Sequence, residues 1–333
     1  MRNRNLQNRI TTGRLTLPVV ILICITCWLL TGFVLSPLGN EPDTYILWHW
    51  FDESGFPQWG TQIISFALYA GIGYFLIEMN NAFGLIRMRA SVQTSLYFLL
   101  VSACPALHHF YPGNIAALSL LVSLYFLFKS YQESKPAAHL FHSFAFIGIG
   151  SIAFPQLTFF FPIWLIGAYN FQSLTLRSFC AALLGWSLPY WFLFAHALFY
   201  GQMELFYAPF AELCSFRPIK LTEQLEQGEI AMLIYLFIQF IVSSVHTIAS
   251  GYQDKIRTRA YLNFMIFVCL LLFICIFLQP GHSSVLLSVL LPIISILMGH
   301  LYALTNNRAA NAFFICSMIS LILLFIFNVW MLL

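Results

Sequence analysis

"LTLPVVILICITCWLLTGFV", residues 15–34, follows Arg2, Arg4, Arg9 and Arg14 and carries no charge over its 20 positions. A secretory signal has an apolar core of about 7–15 residues and a small-residue cleavage site. This run is longer and continues into "LSPLGN". It therefore reads as a retained transmembrane helix, because about 20 apolar residues in helical form cross the ~30 Å hydrocarbon layer.

The rest of the chain repeats that pattern. Apolar residues make up 60% of the 333 and charged ones 8%, and the mean hydropathy is +0.82. That is more apolar surface than a water-soluble core can hide. Spans must be helical, since lipid offers the backbone no hydrogen-bond partner. Apolar runs predict spans near 15–35, 58–78, 91–108, 114–129, 137–153, 156–170, 178–199, 231–249, 260–278, 284–300 and 312–332. The expected fold is thus an all-α polytopic bundle of about eleven transmembrane segments in one integral membrane domain, 1–333. The pair 137–153 and 156–170 is joined at "FPQL" with almost no linker, and reads either as two tight spans or as a re-entrant hairpin, which leaves nine crossings. Pro155 removes a backbone donor at the break and disfavours helix at Phe154.

Basic residues test the count, because Lys and Arg are retained on the cytoplasmic side. Arg2, Arg4, Arg9, Arg14, Arg87, Arg89, Lys129, Lys135, Arg177, Lys255, Arg257, Arg259 and Arg308 all fall on one side, and only Arg217 and Lys220 fall opposite. The N-terminus is expected in the cytoplasm and the C-terminus outside. The acids are the mirror image: Glu41, Asp43, Asp52, Glu53, Glu204, Glu212, Glu223, Glu226 and Glu229 are external. The first external loop, 36–57, is acidic and aromatic. A second, 200–230, has Met203, Leu205, Phe206, Phe210 and Leu213 at helical spacing, as in an amphipathic interfacial helix.

No phosphate-cradling glycine loop, H-E-x-x-H helix or G-x-S-x-G elbow is present. His49 with Asp52, and His139 with His142, sit at i, i+3, but two ligands are too few for a metal site, so no metal or cofactor is expected. Seven of the eight Cys lie in apolar spans and no disulfide framework is implied. External candidates remain. Asp43 and Glu41 are placed to act as general base toward a hydroxyl acceptor. His109, Arg217 and Lys220 are suited to the phosphate of a lipid-linked donor. Trp48 and Trp50 fit either an interfacial aromatic belt or stacking on sugar rings.

Residues 73–199 resemble an uncharacterised multi-pass inner-membrane family of Gram-negative, gliding-type bacteria. The resemblance lies in "EMNNAFGLIRMRASVQTSLYFLL", in "HLFHSFAFIGIGSIAFPQLTFFFPIWLIGAY" and in Gly185 with Pro189 of "LLGWSLPYW". It implies a membrane fold and no particular activity. More loosely, the inside N-terminus, the number of spans and the acidic first external loop are similar to polyprenyl-phosphate-dependent membrane glycosyltransferases and polysaccharide polymerases. That likeness implies catalysis by an acid of "NEPDTY", Glu41 or Asp43.

The leading expectation is an envelope-glycan or lipid-linked sugar assembly protein that uses membrane lipids and a polyprenyl-linked sugar. The rivals are a non-catalytic membrane subunit, with Gly148, Gly150 and Ala153 or Gly71 and Gly73 against partner helices, and a lipid or small-molecule carrier. Nucleic acid is not an expected partner. A carrier requires polar groups at mid-membrane.

Overall fold

The computed structural model describes residues 6–34, 57–86, 91–214 and 225–332. It holds thirteen α-helices and no strand among them: α1 (Leu6–Thr11), α2 (Thr16–Val34), α3 (Gln58–Phe83), α4 (Ser91–Ser102), α5 (Pro112–Lys129), α6 (Ala137–Ala153), α7 (Phe160–Asn170), α8 (Leu176–Tyr200), α9 (Met203–Cys214), α10 (Gln227–Ser250), α11 (Ile256–Leu278), α12 (Ser283–Leu304) and α13 (Arg308–Leu332).

Helices α3, α5, α8 and α10 to α13 provide seven segments long and apolar enough to cross a membrane, while α2, α4 and α6 are apolar but shorter. At 1.5 Å per residue the eleven residues of α7 rise about 16 Å, half of the hydrocarbon thickness. The helix α6 ends where Phe154 turns extended (φ −141°, ψ 94°), and Pro155–Phe159 forms a 3-10 turn before α7. Proline fits there because the first residues of a helix need no backbone donor.

Contacts fall into two compact units, where the sequence reads as a single domain 1–333. In one, α5 to α9 pack as a group. Gly148 of α6 and Gly185 of α8 let two backbones close in: a Cβ on Gly148 would lie 2.5 Å from the Trp186 carbonyl oxygen, and one on Gly185 2.3 Å from that of Phe141. Ser123 and Ser143 add reciprocal bonds between α5 and α6, each hydroxyl donating to the other's backbone carbonyl at 2.7 and 2.8 Å. Such small-residue contacts supply the attraction between helices where lipid removes the hydrophobic driving force. The helix α9, on the amphipathic stretch expected within 200–230, rests Phe206 and Phe210 on Phe194 and Tyr190 of α8.

The other unit holds α1 to α4 and α10 to α13. All but three of the 22 residues of α12 are buried, as expected of a helix apolar on every side. The chain's own bonds define two ends of this unit. Gln7 of α1 donates to the carbonyls of Tyr302 (2.8 Å) and Thr305 (3.0 Å) at the C-terminal end of α12. Asn328, near the end of α13, donates to the Ala103 carbonyl at 2.7 Å, close to where α10 begins. The first end is basic, with Lys255, Arg257, Arg259 and Arg308, and the second carries Glu226 and Glu229.

Candidate functional site

The helix α10 has its polarity inverted relative to a soluble helix. Its exposed side carries Ile230, Ile234, Phe237, Ile238, Ile241, Val245 and Ile248. Its buried side consists of Met232, Tyr235, Leu236, Gln239, Phe240, Ser243, Ser244 and Thr247, five of them polar. An apolar outer face is what hydrocarbon selects. A polar inner face is expensive there, and groups on it hydrogen-bond across helices.

At the centre three helices meet through one chain of hydrogen bonds. The Tyr302 hydroxyl of α12 donates to Gln239 Oε1 at 2.8 Å, and Gln239 Nε2 donates to the Ser317 hydroxyl of α13 at 2.9 Å. The Tyr235 hydroxyl lies 2.8 Å from that same Ser317 oxygen. Two bonds fix the orientation of the Gln239 amide, acceptor toward Tyr302 and donors toward Ser317. One turn further along α10, the Ser243 hydroxyl makes no hydrogen bond among the described residues, nor does that of Ser244 beside it. A buried polar group in that state costs about 1–3 kcal/mol.

Toward the basic end the column closes on an ionisable pair. His300 of α12 and Asp254, in the short connection between α10 and α11, lie 3.1 Å apart (Nε2 to Oδ2), with 0% and 2% of their side chains exposed. The Thr247 hydroxyl faces the other ring nitrogen at 3.5 Å, and the His246 ring centroid lies 5.9 Å from that of His300. Because the carboxylate only accepts, Nε2 carries a hydrogen toward it. Toward the acidic end, Glu229 in the first turn of α10 accepts from the Ser283 hydroxyl at 2.7 Å and the Ser284 hydroxyl at 2.5 Å. One buried helix face thus joins a carboxylate at one end of the unit to a carboxylate–imidazole pair at the other. Among the described residues no group of three or more His, Cys, Asp or Glu is set to hold a metal ion.

Of the candidates read from the sequence, Glu41, Asp43, Trp48, Trp50, Arg217 and Lys220 lie outside the described residues. His109 is exposed in the connection between α4 and α5, whereas its neighbour His108 is buried. The His108 ring stacks on Trp28 of α2 at 3.6 Å between centroids and 18° between planes. Its Nε2 lies 3.2 Å from the Val101 carbonyl and its Nδ1 2.9 Å from the Thr31 hydroxyl. The glycines proposed for partner helices are partly used within the chain: Gly148 faces α8, Gly150 sits against Leu157 and Ser119, and Gly73 faces the Phe98 ring.

Sequence reasoning missed the column. Tyr235, Gln239, Ser243 and Thr247 recur every four residues inside an apolar run, which was the available signal. Asp254 lies between the apolar runs 231–249 and 260–278, and its partner His300 is 46 residues away. No protein family, curated protein or solved structure matches the chain.

Proposed function

We propose that the chain is a proton-coupled membrane carrier, and that the buried face of α10 is its proton path. One observation carries this reading: a helix with an aliphatic outer face turns Tyr235, Gln239, Ser243, Ser244 and Thr247 inward, between Glu229 and the Asp254–His300 pair. Hydroxyl, amide and imidazole groups both donate and accept, so a proton entering at one carboxylate has exchangeable partners along the face. Ser243 and Ser244, without a partner among the described residues, are the points where water or the transported species is expected to complete the chain.

The accompanying orientation is that of the positive-inside rule, with the Arg308 and Lys255 end in the cytoplasm and Glu229 facing outward. It goes with nine crossings, the α6–α7 pair being re-entrant, and with an N-terminus inside and a C-terminus outside. The inner membrane of a bacterium is the proposed location. Sugar transfer by Glu41 or Asp43 remains the competing proposal and is independent of the column: substituting Asp43→Asn with surface glycan as readout tests it separately. For the carrier, the test is acidification of proteoliposomes holding a pH-sensitive dye under an imposed membrane potential. Flux above protein-free vesicles supports it, and none from folded protein rejects it.

A further inference from the structure

A cavity of about 360 Å³ opens at the acidic end of α10, lined by Glu226, Glu229 and Asn328 together with Leu107, Leu287 and Met331. Its size lies at the lower end of the range for small-molecule sites, about 300–1,000 Å³, and apolar walls with a few polar groups are their usual composition. The polar groups share one character. Both carboxylates accept hydrogen bonds when ionised, and Ser283 and Ser284 hold the two oxygens of Glu229 in place.

Asn328 supplies an independent observation. It is 7% exposed, its amide nitrogen is committed to the Ala103 carbonyl at 2.7 Å, and its Oδ1 has no hydrogen-bond donor among the described residues. That bond fixes which end of the carboxamide is the oxygen. A Cβ on Gly228 would lie only 2.6 Å from Oδ1, so the glycine is what admits the amide to the cavity wall. A buried acceptor without a donor costs about 1–3 kcal/mol, which a ligand carrying N–H groups recovers.

We propose that this cavity binds an organic ammonium ion, its N–H groups toward Glu229 and Asn328 Oδ1 and its hydrocarbon part against Leu107, Leu287 and Met331. An anion would meet two carboxylates and no cation among the lining residues, and a purely apolar ligand would leave Asn328 Oδ1 without a donor. The site names the ligand class of the carrier proposed above and rests on that reading for its role, though not for its existence.

The test is isothermal titration of the full chain in detergent with 2-phenylethylammonium chloride, and with 3-phenylpropanoate as the probe of opposite charge. The ammonium is expected to bind and the carboxylate not to. Glu229→Gln, which removes the charge, keeps one carbonyl oxygen for one serine and turns an NH2 donor toward the other serine's hydroxyl oxygen, is expected to weaken binding about tenfold or more. Met331→Trp, at the exposed rim, is expected to abolish binding by filling the cavity while leaving the unfolding temperature unchanged. A free amine and the headgroup of phosphatidylethanolamine share this chemistry. Displacement of the probe by phosphatidylethanolamine but not by phosphatidylglycerol assigns the site to the lipid, and resistance to both lipids assigns it to the free amine. No binding to folded wild type, or equal binding by wild type and both variants, overturns the proposal. Binding without proton flux keeps the site and rejects the carrier, whereas flux without binding does the reverse.

Discussion

His300 Nε2 lies 3.1 Å from Asp254 Oδ2 with both side chains out of contact with solvent, although 46 residues separate them in the chain. Breaking a buried ionisable pair by deleting one member costs about 3–5 kcal/mol. His300→Ala is therefore expected to lower the unfolding temperature in detergent markedly. Asp254→Asn keeps an oxygen that accepts from Nε2 and is expected to lose much less. Equal losses from the two substitutions would mean that hydrogen bonding at this pair is not what holds α12 to the connection after α10.

The bond chain through Gln239 makes a prediction about pairs of substitutions. Gln239→Leu removes the acceptor of the Tyr302 hydroxyl inside the unit, and an unsatisfied buried hydroxyl costs about 1–3 kcal/mol. Adding Tyr302→Phe removes that hydroxyl, so the double variant is expected to be more stable than Gln239→Leu alone. Thermal unfolding of wild type, both single variants and the double variant measures the coupling directly. Additive losses would show that the two side chains do not act as one network.

Close approach of α6 and α8 predicts a contrast between glycines. Gly185→Ala places a methyl 2.3 Å from the Phe141 carbonyl oxygen, a backbone atom that cannot swing away, and overpacking of this kind costs about 1–3 kcal/mol. Gly71→Ala meets nothing within 4 Å and is expected to be neutral or slightly stabilising, since alanine is the better helix former. Comparing the two unfolding temperatures checks this, and a larger loss at Gly71 would contradict the packing described.

Each apolar run read from the sequence meets a helix: 178–199 lies within α8, 260–278 within α11 and 284–300 within α12. Hydropathy makes this legible, because every residue of a span shares one solvent. Short elements were less so. The run 91–108 becomes α4, which stops at Ser102, and then a 3-10 turn at Pro105–Leu107, since Pro105 cannot donate to a continuing helix. Residue types at the column were visible, but pairing was not. Gln239, Tyr302 and Ser317 belong to three helices, and nothing along the chain states that their side chains converge. Charge along the chain is concentrated in the loops and near helix ends, whereas the hydroxyls and amides of α10 gain their importance only from which way they face.

Proton flux into proteoliposomes under an imposed potential, compared among wild type, Gln239→Leu and Asp254→Asn at matched protein incorporation, decides whether the buried face of α10 carries protons. Flux from wild type is expected well above that of protein-free vesicles, with most of it lost in both variants, each of which interrupts the α10 face at a different depth. Undiminished flux in both variants, or none from folded wild type, would contradict a proton path along this face.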